Sequence, residues 1–82
     1  EILQEPRYAR SNYWLNALIL KKADKKTIIK LLKKAAKNNI QLRPVWKILS
    51  KNKYLNNFPR MKLSCAINLE KRIINIPSSS NL

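Results

Sequence analysis

Tyr13-Trp14-Leu15-Asn16-Ala17-Leu18-Ile19-Leu20, followed across Lys21-Lys22-Ala23 by Asp24 and a periodic run to Lys37, is the stretch that decides the fold. Its first part alternates. Tyr13, Leu15, Ala17 and Ile19 share one face, while Trp14, Leu18 and Leu20 join Asn12 and Asn16 on the other, the two-residue period of a strand. Apolar side chains on both faces predict that both are at least partly covered. The second part changes period: Ile28, Ile29, Leu31, Leu32, Ala35 and Ala36 recur at helical spacing. Asp24 stands where an N-cap is needed, its carboxylate able to accept from the first free amides and its charge suited to the positive end of the helix dipole. A helix over 25–37 is predicted, closing at Asn38-Asn39. The chain has no glycine, and Asn is the next residue best able to take the left-handed conformation that ends many helices.

Outward from this pair the alternation continues. Ile40 to Val45 reads as a second strand, with Pro44 arguing for an edge or a strand end because it cannot donate to a ladder. Val45 to Lys51 allows one helical turn, and a loop runs through Asn52 and Asn56-Asn57 to Pro59. Ser64 to Arg72 fits a second helix, capped by Ser64 or the preceding turn, with Ile67 and Leu69 packed inward. Ile73-Ile74-Asn75-Ile76-Pro77 makes a third short strand, and Ser78-Ser79-Ser80-Asn81 a polar tail. With no internal repeat, residues 1–82 are expected to form a single α/β domain, a small two-layer sandwich of about three strands with two main helices on one face. The open face of that sheet is the one expected to meet a partner. A chain of 82 residues buries only about 60–65% of its unfolded surface, so the core will be thin. At 45% hydrophobic residues it is nevertheless too apolar for a disordered basic tail.

Charge and missing residue types narrow the chemistry. The balance of 18 Lys+Arg against 4 Asp+Glu gives a formal net charge of +14, the electrostatic footprint of a chain that binds nucleic acid or an anionic membrane. Lysines scattered among Asn and Ile are also what an AT-rich genome produces, and their ordinary fate is a solvated face. Lys26, Lys30, Lys33, Lys34 and Lys37 fall in one arc opposite the apolar stripe of the predicted helix. That arc could sit on phosphates or anionic lipid, but without an aromatic anchor or an Arg cluster the solvated face is preferred. No His is present, so imidazole metal sites and Ser-His or Cys-His nucleophile pairs are not expected. Without glycine there is no phosphate loop of the Walker or dinucleotide kind. The carboxylates Glu1, Glu5, Asp24 and Glu70 form no pair for acid–base work. This chain alone is expected to be inactive, with no catalytic residue and no metal ligand of its own. Cys65, the only thiol, allows no internal disulfide and reads as a small core residue in a reducing, cytoplasmic setting. The longest wholly apolar run is Ala17 to Leu20, so no signal peptide and no membrane span are expected. The absence of an initial Met suits a piece of a longer protein.

Against this background the arginines and tryptophans stand out. Arg10, Asn12 and Trp14 on one segment, and Arg43 and Trp46 on another, place guanidinium and indole groups beside apolar runs. Such residues are enriched where surfaces receive something. Trp14 and Trp46 read equally well as core aromatics. Arg10 and Arg43 have almost no carboxylate to pair with, so their counter-charge is expected on a ligand, another subunit or another domain.

Three strings carry a resemblance: Arg10-Ser11-Asn12-Tyr13-Trp14-Leu15-Asn16-Ala17-Leu18, Ile40-Gln41-Leu42-Arg43-Pro44-Val45-Trp46 and Ile74-Asn75-Ile76-Pro77-Ser78-Ser79. In order and spacing the chain resembles the C-terminal part of the DegT/StrS family of pyridoxal-phosphate sugar-nucleotide aminotransferases, nearest the legionaminate and perosamine-synthetase-like branch acting on UDP-linked amino sugars. The resemblance implies the small domain of a fold-type I enzyme. A large N-terminal domain, absent here, would carry pyridoxal 5'-phosphate and the Schiff-base lysine, and the parent would be a homodimer making cell-surface sugars. No cofactor, nucleic acid or membrane is then expected on residues 1–82 themselves. It also implies that Arg10, Asn12, Trp14, Arg43 and Trp46 contact the sugar nucleotide or the missing domain. Two positions depart from the pattern: Asn39 stands where relatives often have Gly, and Ser50 where many have His.

Overall fold

The structure is a computed structural model that describes residues 1–22 and 24–79; Ala23 of the connecting link and Ser80 and Asn81 of the expected tail lie outside the described residues. The elements in order are β1 (Asn16–Ile19), α1 (Lys25–Lys37), β2 (Arg43–Pro44), 3-10 turns at Leu49–Lys51 and Lys53–Leu55, α2 (Ser64–Glu70) and β3 (Ile73–Ile76). They build a small mixed α/β domain around one three-stranded sheet of order β1-β3-β2.

Both outer strands run antiparallel to β3, so β1 and β2 are parallel to each other with the last strand inserted between them. This is a split β-α-β arrangement. The Ile-rich strand β3 takes the centre because only there are both of its ladder edges paired, and Ile74 is fully buried. β2 takes an edge, where Pro44 leaves no donor unpaired within the sheet. Direct cross-strand partners share a face. Leu18, Ile74 and Pro44 therefore form one row, and Ala17, Asn75 and Arg43 form a row on the other side. α1 lies over the first row: Ile28, its buried residue, Ile29 and Leu32 bound a hollow together with Pro44 and Val45. Arg43 and Asn75 consequently face away from α1.

α1 has the predicted bounds and the predicted cap. Asp24 accepts from the Lys26 amide at 3.0 Å and from the Thr27 hydroxyl at 2.6 Å. Asn39 has φ 58°, and the Asn38 side chain donates to the Lys34 carbonyl at 2.8 Å. The Ile40 amide then turns back to the Ala35 carbonyl at 2.9 Å. That bond is why β2 is shorter than the predicted strand over 40–45: its first residues close the helix instead of entering the ladder.

β1 is also shorter than predicted, because Tyr13 takes φ 48° and breaks the extended run. For an aromatic residue this left-handed conformation costs roughly 1–2 kcal/mol. The loop expected after Asn52 contains the turn Lys53–Leu55, started by the Asn52 side chain accepting from the Tyr54 amide at 3.0 Å.

α2 corrects three expectations: its end, the burial of Cys65 and the inward packing of Ile67 and Leu69. It ends at Glu70 rather than Arg72, and it starts from Leu63 with no side-chain cap. Its half-buried positions are Leu63, Ala66 and Glu70, a helical stripe that excludes Cys65, Ile67 and Leu69. Cys65 is exposed, and Ile67 and Leu69 are 38% and 39% exposed rather than packed inward. The inward face thus carries a carboxylate, and it is satisfied: Glu70 accepts from the Ile48 amide at 2.8 Å and from the Lys51 ammonium.

One pairing was not expected from the sequence. Ile2 pairs with Leu18, the Leu3 amide donates to the Ala17 carbonyl at 2.9 Å and the Ile19 amide to the Glu1 carbonyl at 2.7 Å. Residues 1–3 therefore cover the outer edge of β1. The core is very thin: among the described residues only Ile28 and Ile74 are buried hydrophobics. The accessible surface is 7605 Å², against about 5,100 Å² for a compact monomer of this mass.

Candidate functional site

On the face turned away from α1, the three strings singled out above meet. Trp14 and Leu15 from the first, Gln41 and Arg43 from the second, and Asn75 to Ser79 from the third line one open groove of about 360 Å³, together with Asn39. The sheet explains the convergence. Arg43 is the register partner of Asn75, Gln41 precedes Arg43 by two residues, and Pro77-Ser78-Ser79 continue from the end of β3 past Asn16, the partner of Ile76.

Trp14 reaches the groove from a tightly bonded arm. The Glu5 carboxylate accepts from the Ser11 amide at 2.6 Å, the Ser11 hydroxyl from the Tyr13 amide at 3.0 Å, and the Asn12 side chain from the Trp14 amide at 3.0 Å. The Tyr13 hydroxyl in turn accepts from the Glu5 amide at 3.2 Å. These are successive side-chain-to-backbone turns, and together they hold Tyr13 in its left-handed conformation.

The electrostatics of the groove are one-sided. Among the described residues the one ion pair is Lys51 with Glu70, so Arg43 has no carboxylate partner there. Glu5, Asp24 and Glu70 are engaged elsewhere. The Thr27 hydroxyl, more than the backbone amides, holds the Asp24 carboxyl below its ordinary value. Glu70 is lowered first by the Lys51 ammonium bonded to it and then by the Ile48 amide. A guanidinium with amides and hydroxyls around it and an indole at one wall suits a ligand that has an anionic group, hydroxyls and an apolar face.

The remaining sequence candidates lie elsewhere. Asn12 uses its side chain to fix the turn before Trp14. Arg10 is exposed on the arm, and neither it nor Trp46 lines the groove. Trp14 and Trp46 are 69% and 79% exposed, which removes the reading of either as a core aromatic. Gln41, Asn75 and Ser78 were not singled out as site residues. Asn75 could have been found, because it interrupts an otherwise all-isoleucine strand, and Gln41 shares the strand parity of Arg43.

No lysine and no carboxylate lines the groove, so it does not fit pyridoxal phosphate, which needs a lysine for covalent attachment and an acid on its ring nitrogen. Among the described residues no group of His, Cys, Asp and Glu side chains is placed to hold a metal. Among the described residues no helix is long and apolar enough to cross a membrane.

A second, larger hollow of about 580 Å³ is lined by Ile48, Leu49, Leu55, Phe58, Met61 and Leu63 among others. Ser50 lines this hollow and not the polar groove. With Arg60 as its charged group and few polar atoms, it offers packing rather than chemistry. No family model, no curated protein and no solved structure matches the chain.

Proposed function

We propose that residues 1–82 are the C-terminal small domain of a pyridoxal-phosphate-dependent sugar-nucleotide aminotransferase of the DegT/StrS kind. The observation that carries this reading is the meeting of the three resembling strings in one groove, although they lie far apart along the chain. The parent enzyme would move an amino group, commonly from glutamate, onto a keto-sugar nucleotide used for cell-surface sugars. The cofactor supplies the electron sink when bound to the large domain. Residues 1–82 supply a wall: Arg43 for an anionic group of the sugar nucleotide, Gln41, Asn75 and the serine hydroxyls for its sugar, and Trp14 for an apolar face. Arg10 and Trp46, exposed and outside the groove, are then surfaces for the large domain or for the partner subunit of a cytoplasmic homodimer. The thin core and the exposed apolar hollow support a chain that completes its packing against another domain.

An amino-transfer assay on the gene product that carries this chain tests the reading. Transfer from glutamate to a UDP-linked keto-sugar is expected from the parent, and none from residues 1–82 alone. Absence of transfer from the parent, together with saturable sub-micromolar nucleic-acid binding by the chain at about physiological salt, would overturn it in favour of a stand-alone basic nucleic-acid-binding module.

A further inference from the structure

We infer that the arm from Glu5 to Trp14 is a preorganised positioning device, in which the left-handed Tyr13 fixes the Trp14 indole as a rigid stacking wall of the groove. The inference rests on the groove being the ligand site proposed above. Its starting point is the outlier: Tyr13 at φ 48° is an aromatic residue in a conformation that favours glycine, and such strain persists only where the surroundings over-determine it. Here they do. The Tyr13 amide and hydroxyl are both bonded, and the residues bonded to them, Glu5 and Ser11, are bonded to each other.

The bond from Asn12 then fixes the amide of Trp14 itself. The product of all these bonds is a fixed backbone at Trp14, whose side chain stays largely exposed while the residue lines the same groove as Arg43. An exposed indole gains nothing for the core from being held. Held in the same groove as a guanidinium, it gives a ligand a flat apolar surface at a reduced ordering cost on binding. Tyr13 and Asn12 are therefore positioning residues, while Trp14 touches the ligand.

The test uses the Trp46→Phe chain, in which Trp14 is the sole indole. Introducing Tyr13→Gly should relieve the strain and leave the melting temperature equal or higher. It should nonetheless lower the fluorescence anisotropy of Trp14 and increase its quenching by acrylamide. Asn12→Ala should give the same loss of order, and Tyr13→Asn, which tolerates the left-handed conformation, should preserve it. In the parent, Tyr13→Gly should raise KM for the sugar nucleotide about tenfold, with kcat much less affected.

Unchanged anisotropy and quenching in both Tyr13→Gly and Asn12→Ala would overturn the inference. So would a parent whose KM ignores Tyr13→Gly, even while the aminotransferase reading stands. A parent without amino transfer would remove that reading. The anisotropy results would then still decide whether the arm orders Trp14.

Discussion

At the residue scale, single side chains here are committed to one task each. Arg43 is the groove's cation, and its value lies in a planar fork that a lysine lacks. On the proposed aminotransferase function, Arg43→Lys in the full-length enzyme should raise KM for the sugar nucleotide about tenfold while leaving the melting temperature unchanged, which separates lost geometry from lost charge. Glu70 gives a pH signature. Its carboxyl is lowered by Lys51 and by the Ile48 amide, so its contribution to stability is complete above the ordinary glutamate range and disappears as pH falls through its lower folded value. Stability should therefore decline below about pH 4. A Glu70→Gln chain should be weaker at neutral pH and lose less on acidification, as followed by urea titrations across that range. Asp24 titrates in the same sense, its carboxyl being lowered mainly by Thr27. Asp24→Ala should reduce far-UV ellipticity and melting temperature together, because α1 has no other acidic group in its first turn.

At the element scale, legibility followed how local the determining forces are. α1 was readable to its ends because its signals are local: a cap, a 3.6-residue period and an Asn tolerant of φ 58°. β1 and β2 were readable in kind but not in length. An Asx turn at Asn12 shortened the first, and the Ile40 amide, captured by Ala35, shortened the second. α2 was misread in phase. Its inward stripe of Leu63, Ala66 and Glu70 includes a carboxylate, and nothing local reveals that Ile48 and Lys51 will satisfy it. Trp14 and Arg43, singled out by their types alone, both line the groove. Gln41 and Asn75 join them there only through the register that sets Arg43 opposite Asn75. β3 is the element on which the others depend. Ile74→Ala should cost about 2–5 kcal/mol, and with Ile28 the only other buried hydrophobic among the described residues, the chain should fail to give a cooperative urea transition.

At the scale of the whole molecule, two imbalances govern behaviour. The formal charge of +14 makes the folded state repel itself, and that repulsion is screened over about 10 Å at 0.1 M salt. The melting temperature should therefore rise as sodium chloride increases from low to moderate concentration, a trend that differential scanning fluorimetry would show; a fall would mean that attractive surface pairs dominate. The second imbalance is apolar. The surface of 7605 Å² and the open hollow around Phe58 and Met61 leave apolar area exposed. By itself the sequence determined the helix α1, the edge place of Pro44 and the thinness of the core, because each depends on neighbours along the chain or on composition. The tertiary structure alone decided that β3 would lie between β1 and β2, that residues 1–3 would cover β1, and that three distant strings would share one groove. Those outcomes depend on which backbone groups find partners across the sheet, and that choice is made in space, where sequence separation no longer measures distance.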